Sequence, residues 1–77
     1  MVKSAAIILK SGKIYTGKNH ADIYFKIKED NYKIKDCGFI NEKGEFLDRF
    51  KAVKVAYECG QIKKIVNKLF SSDIELS

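Results

Sequence analysis

The block Ala5-Ala6-Ile7-Ile8-Leu9 is continuously apolar and stops at Lys10, so 4–9 reads as a strand. Ser11-Gly12 is a turn signal. Ile14 and Tyr15 resume an extended pattern over 13–16, and Gly17 then breaks it. The spacing predicts a β-hairpin. Asn19-His20-Ala21-Asp22 has the form of a helix start: Asn19 can cap, and Asp22 can reach back three residues in a capping-box manner. Ile23 and Ile27 lie four apart with Tyr24 on the adjoining face. That stripe predicts a helix over 20–29, ended by Asp30-Asn31.

The second half repeats this architecture without repeating the sequence. Tyr32 and Ile34 alternate with Lys33 and Lys35, and Gly38-Phe39-Ile40 continues the strand. Asn41-Glu42-Lys43-Gly44 predicts a hairpin loop, from which Glu45-Phe46-Leu47 returns. Asp48 suits the N-cap of a second helix whose expected core stripe is Phe50, Val53 and Tyr57, widened by Ala52, Ala56 and Cys59. Gly60 stands where a left-handed C-terminal residue belongs. Apolar positions at Ile62, Ile65, Val66 and Leu69 then predict a further short helix over 62–70, and Ser71-Ser72-Asp73 closes the pattern with polar groups. The expected fold is α+β, in the order β-β-α-β-β-α. An antiparallel sheet from two hairpins carries two helices on one face, with a short C-terminal helical extension, in one domain over 1–77.

Length changes this picture in one respect. Seventy-seven residues bury a limited core, and hairpin edges left open favour pairing with another subunit, so a homo-oligomer, dimer or higher, is expected. No stretch approaches the roughly 18 apolar residues of a membrane-spanning helix. The block 5–9 is too short for the apolar region of a signal peptide, so no membrane partner and a cytoplasmic location are expected. Cys37 and Cys59 then read as free thiols. Two cysteines and one histidine, none at ligand spacing, predict neither a metal site nor a cofactor.

Net charge is +5, and Arg49 is the only arginine. A lysine-rich surface reads either as simply solvated or as a weakly selective attractor of anions, since arginine is the better bidentate reader of phosphates and base edges.

Candidate chemistry is sparse. His20, the single histidine, reads as a partly exposed first residue of its helix or as a ligand contact. As a catalytic base it would need a nucleophile and an orienting carboxylate, and Asp22, two residues on, does not face it. No Gly-rich phosphate loop and no carboxylate pair with a clear role is present, so binding rather than catalysis is expected. Asp48-Arg49 reads either as a cap beside a solvated cation or as one wall of an anion site. There Arg49 would hold a phosphate and Asp48 would accept from ribose hydroxyls. Phe39 reads as core, or as a ring that stacks a base on an exposed sheet face. Lys18 adds a phosphate-competent cation, and Gln61, Ser71, Ser72 and Asp73 supply further donors and acceptors.

These residues lie in strings that carry a resemblance along nearly the whole chain. They are Ala5-Ala6-Ile7, Gly12-Lys13-Ile14-Tyr15-Thr16-Gly17-Lys18, His20-Ala21-Asp22-Ile23, Gly38-Phe39-Ile40 and Gly44-Glu45-Phe46-Leu47-Asp48-Arg49. Ala52, Ala56, Gly60-Gln61-Ile62 and Leu69-Phe70-Ser71-Ser72-Asp73-Ile74 follow. Their order and spacing resemble small bacteriophage proteins, and among them the anti-Thoeris sponge proteins. The resemblance implies an anti-defence homo-oligomer with sites near subunit interfaces. Such a protein sequesters, without cleaving it, a nucleotide-derived signal: a cyclic ADP-ribose isomer or a cyclic oligonucleotide. Cys59 departs from an expected Ala and Ser72 from an expected Glu. The competing expectations are a small basic nucleic-acid-binding protein and an inhibitor that binds a host protein.

Overall fold

The computed structural model describes residues 1–74. Its elements are β1 (Val2–Leu9), β2 (Ile14–Gly17), α1 (His20–Lys26), β3 (Ile34–Asn41), β4 (Phe46–Asp48), α2 (Arg49–Glu58) and a 3-10 turn at Ser71–Asp73. The strands form one antiparallel sheet in the order β2-β1-β3-β4. The expected α+β fold with two hairpins and two helices is therefore present, and a C-terminal helical turn follows at Ser71–Asp73, beyond the stretch expected to be helical.

Register explains where the core lies. Gly17, Ala5, Phe39 and Leu47 form one row across the four strands, and Tyr15, Ile7 and Cys37 form the next row on the same face. Side chains alternate across a sheet, so this face is shared. It packs into one core cluster with Ile23 of α1 and with Ala52, Val53 and Ala56 of α2, which places both helices on that face. Gly17 makes room for α1, because a Cβ there would stand 3.0 Å from Ile23 Cγ1.

The turns follow their sequence signals. Gly12 and Gly44 hold left-handed conformations in the two hairpin loops, and the Asn41 side chain accepts from the backbone of Lys43 and Glu45. Asn19 and Asp48 cap α1 and α2 by accepting from Asp22 N and Lys51 N. Gly60 (φ +76°) ends α2: its N–H donates to Tyr57 O, and Gln61 N–H donates to Ala56 O, the paired bonds of a Schellman end.

Three expectations are corrected. α1 stops at Lys26, because Ile27 turns extended (ψ 116°) to pack against the core. In α2 the buried stripe is Ala52, Val53 and Ala56, while Phe50, Tyr57 and Cys59 are exposed. Small residues let the helix sit close to the sheet and turn its aromatic rings outward. The third correction concerns 62–70, which is not helical. Ile62 N–H donates to Ala56 O, and Leu69 N–H donates to Arg49 O instead of to its own chain four residues back. Those bonds fasten the segment along α2 at both ends. A helix of this length is marginal in isolation, and the β-branched Ile62, Ile65 and Val66 weaken it further. Ile62 and Leu69 are buried, whereas Ile65 and Val66 are not.

Candidate functional site

The segment that follows α2 is tied to the rest of the molecule at three places, and most candidate residues sit on those ties. At the first, Gln61 Nε2 donates to Val2 O and Gln61 Oε1 accepts from Val2 N, both at 2.8 Å. One side-chain amide thus completes the backbone pairing of a residue where the β1–β3 register shifts.

At the second, Arg49 Nη1 donates to Leu69 O at 2.7 Å, and the guanidinium lies 5.0 Å from the centre of the Phe70 ring. Arg49 is therefore not the solvated cation that its place at a helix start suggests. Its planar group holds a backbone carbonyl and covers an aromatic face.

The third tie is at His20. Its Nε2 lies 2.8 Å from Gly38 O and its Nδ1 lies 3.0 Å from Ser71 Oγ. A carbonyl only accepts, so Nε2 carries the proton, and the Ser71 hydroxyl donates to Nδ1. Ser71 Oγ also accepts from His20 N–H at 3.4 Å. Phe39 meets the ring edge-on, with centroids 5.2 Å apart. Burial drives the imidazole pKa below its ordinary value, and the nearby Arg49 charge pushes the same way. His20 is a buried neutral group with both nitrogens engaged, not a partly exposed helix-start residue. Phe39 is fully buried beneath it, which removes it as an exposed stacking platform.

The remaining candidates are placed as follows. Asp48 caps α2, Lys18 is exposed ahead of α1, and Ser72 is exposed on the 3-10 turn. Asp73 Oδ2 accepts from Phe70 N–H and closes that turn. His20, Phe39, Arg49 and Ser71 thus converge on one knot, while Lys18 and Gln61 lie outside it.

Two of the candidates, Gln61 and Asp73, line the solvent side together with lysines not singled out in the sequence. Gln61, Ile62, Lys63, Lys64, Val66 and Asp73 line a hollow of about 370 Å³. Val66, Asn67, Lys68, Phe70 and Asp73 line a second of about 430 Å³. Asp73 and Val66 belong to both. The lysines gave no signal in the sequence, because a predicted helix would have distributed them around its surface.

Among the described residues no helix is long and apolar enough to cross a membrane. Neither a curated protein nor a solved structure matches this chain. A family model described as Phage T4 y16D protein matches residues 2–74, nearly the whole length, and covers the sheet, both helices and the knotted segment alike. The chain therefore belongs to the Phage T4 y16D protein family.

Proposed function

We propose that this phage protein binds and holds a small nucleotide-derived signalling molecule, a cyclic ADP-ribose isomer or a cyclic oligonucleotide, in the host cytoplasm without cleaving it. The observation that carries the reading is the pair of hollows meeting at Asp73, with Lys63, Lys64 and Lys68 around them and Phe70 half exposed between its Arg49-covered face and solvent. The lysines suit phosphates, the open face of Phe70 suits a base, and a carboxylate at Asp73 suits ribose hydroxyls. The resemblance to sponge proteins points to the same ligand class. Holding rather than converting agrees with a histidine whose two nitrogens are both taken up inside the fold.

Nanomolar capture corresponds to about −12 kcal/mol. Shallow hollows on one small chain supply too little enclosure for that, so the binding form in this reading is a homo-oligomer that closes them.

The test is to incubate the protein with cyclic ADP-ribose isomers and cyclic dinucleotides, remove free ligand, denature, and analyse what is released. Intact ligand is expected. A hydrolysed product would instead identify an enzyme. A second reading, nucleic-acid binding, draws on the exposure of every lysine in the chain. It predicts binding to single- or double-stranded nucleic acid that falls steeply with salt, where a small ligand gives a shallow slope.

A further inference from the structure

The outer side of α2 carries a groove distinct in character from the two hollows. It measures about 530 Å³ and runs between Phe50, Val53 and Tyr57 on the helix and Ile65 and Val66 on the returning segment. Relative exposures are 61% for Phe50, 45% for Tyr57 and 72% for Ile65. Large apolar side chains gathered this way mark interaction surfaces, whereas isolated ones do not. Both walls are anchored: Val53 reaches the core, and the returning segment is fixed by the Leu69–Arg49 backbone bond.

The charges around the groove select its occupant. Lys54 lines it, Lys68 places its ammonium 5.7 Å from the Phe50 ring centre, and Lys51 and Lys64 adjoin Phe50 and Ile65 in the chain. Glu58 is the one carboxylate in the lining. A second copy would bring an equally cationic face to this one and be repelled. A nucleic acid would find phosphate partners at the rim and rings to stack on in Phe50 and Tyr57. The facing wall of Ile65 and Val66, however, is aliphatic and neither stacks nor hydrogen-bonds, whereas apolar anchors of a peptide fit both walls.

We infer that this groove docks a short amphipathic segment of a host protein, with two or three apolar anchors facing inward and acidic residues beside them. An acidic helix with anchors at i, i+3 or i+4, and i+7 has the right form. Aromatic side chains in such a groove are the usual energetic centres. The inference does not rest on the small-ligand reading: the groove lining shares only Val66 and Asn67 with the two hollows, and its apolar walls Phe50, Val53, Tyr57 and Ile65 belong to neither, while Lys64 and Lys68 flank both regions.

The test is selection of displayed random dodecapeptides on the full chain, followed by binding curves for the enriched sequences. Enriched peptides should carry net negative charge and helically spaced apolar residues. Ile65→Ser should weaken them at least tenfold at unchanged melting temperature, Phe50→Ser similarly, and Lys54→Glu should weaken acidic peptides selectively. Should Phe50→Ser disturb folding, Ile65→Ser alone carries the comparison. No enrichment, enrichment of neutral or basic peptides, indifference to Ile65→Ser, displacement by single-stranded DNA, or self-association through this face would each overturn the inference.

Discussion

Ser71 donates its hydroxyl to Nδ1 of His20 across 51 residues of chain, at 3.0 Å. The same oxygen accepts the backbone N–H of His20, so one hydroxyl both satisfies the unprotonated ring nitrogen left by the Gly38 bond and caps the start of α1.

Ser71→Ala leaves a buried nitrogen without its donor, which costs about 1–3 kcal/mol. In a domain of this size each kcal/mol corresponds to roughly 4–8 °C in melting temperature. Ser72→Ala, one residue on and exposed, should change stability by less than about 0.5 kcal/mol. Thermal unfolding of the two variants side by side checks this. Equal melting temperatures would mean that the hydroxyl does not secure the ring.

Stability should also depend on pH through His20. Its pKa is lowered in the folded chain, so the unfolded chain binds the proton more readily and stability rises with pH. The contribution is complete above the ordinary value of 6.5 and is lost as pH falls from there through the lowered folded value. Melting curves between pH 5 and pH 8 should show the decline in the parent chain, and the decline should flatten in His20→Gln. An unchanged slope in the variant would assign the dependence to other groups.

Arg49→Ala should lower stability by about 1–2 kcal/mol, because it removes a charge-assisted bond to Leu69 O and uncovers Phe70. Arg49→Lys should recover only part of this, since an ammonium lacks the flat face. Loss of hydrogen-exchange protection at Leu69 in Arg49→Ala would locate the effect. Full retention of protection there would contradict it.

Gly38→Ala should cost about 1–3 kcal/mol through overpacking. A Cβ at Gly38 would collide with Leu47 O and lie 2.7 Å from Phe46 Cζ, and both belong to the paired strand. Denaturant unfolding of this variant beside the parent measures the loss. An unchanged midpoint would mean that β4 shifts to make room without cost.

For the ligand, Phe70→Ala should remove the roughly 1–3 kcal/mol that stacking one base supplies. Lys64→Ala should weaken binding, while Lys33→Ala, remote from the hollows, should leave it unaltered. Calorimetric titration with a cyclic dinucleotide distinguishes the outcomes. Equal losses at both lysines would indicate a diffuse polyanion field instead of a site.

The elements that are legible in the sequence are those whose local signals act alone. Gly12 and Gly44 at positive φ, Asn19 and Asp48 as caps and Gly60 as a helix end each impose their geometry within a few residues. The failures lie where distant partners intervene. The spacing of Ile62, Ile65, Val66 and Leu69 is helical, yet Leu69 N–H bonds to Arg49 O, 20 residues back. Phe50 and Tyr57 have the hydrophobicity of core residues, but Ala52 and Ala56 win the sheet because they permit a closer approach. The candidate residues His20, Phe39, Arg49 and Ser71 do converge, though mostly into the interior. Both ring nitrogens of His20 are taken up by Gly38 and Ser71, and the Arg49 guanidinium turns back to Leu69 O, which no spacing along the chain discloses.

The reciprocal amide of Gln61 with Val2 closes a loop of 59 residues, and the Arg49 and Ser71 ties secure the rest of that strap. Such a strap, held at a few points and otherwise exposed, is the kind of unit that opens by itself while the sheet stays intact. Opening would release Val2 N–H, Leu69 N–H and His20 N–H together, so native-state hydrogen exchange should give these three amides one common opening free energy below that of β1 and β3. Both hollows are built on the strap. A ligand that fits them only in the docked form therefore raises that opening energy by RT ln(1 + [L]/Kd), and the three amides become a direct gauge of occupancy.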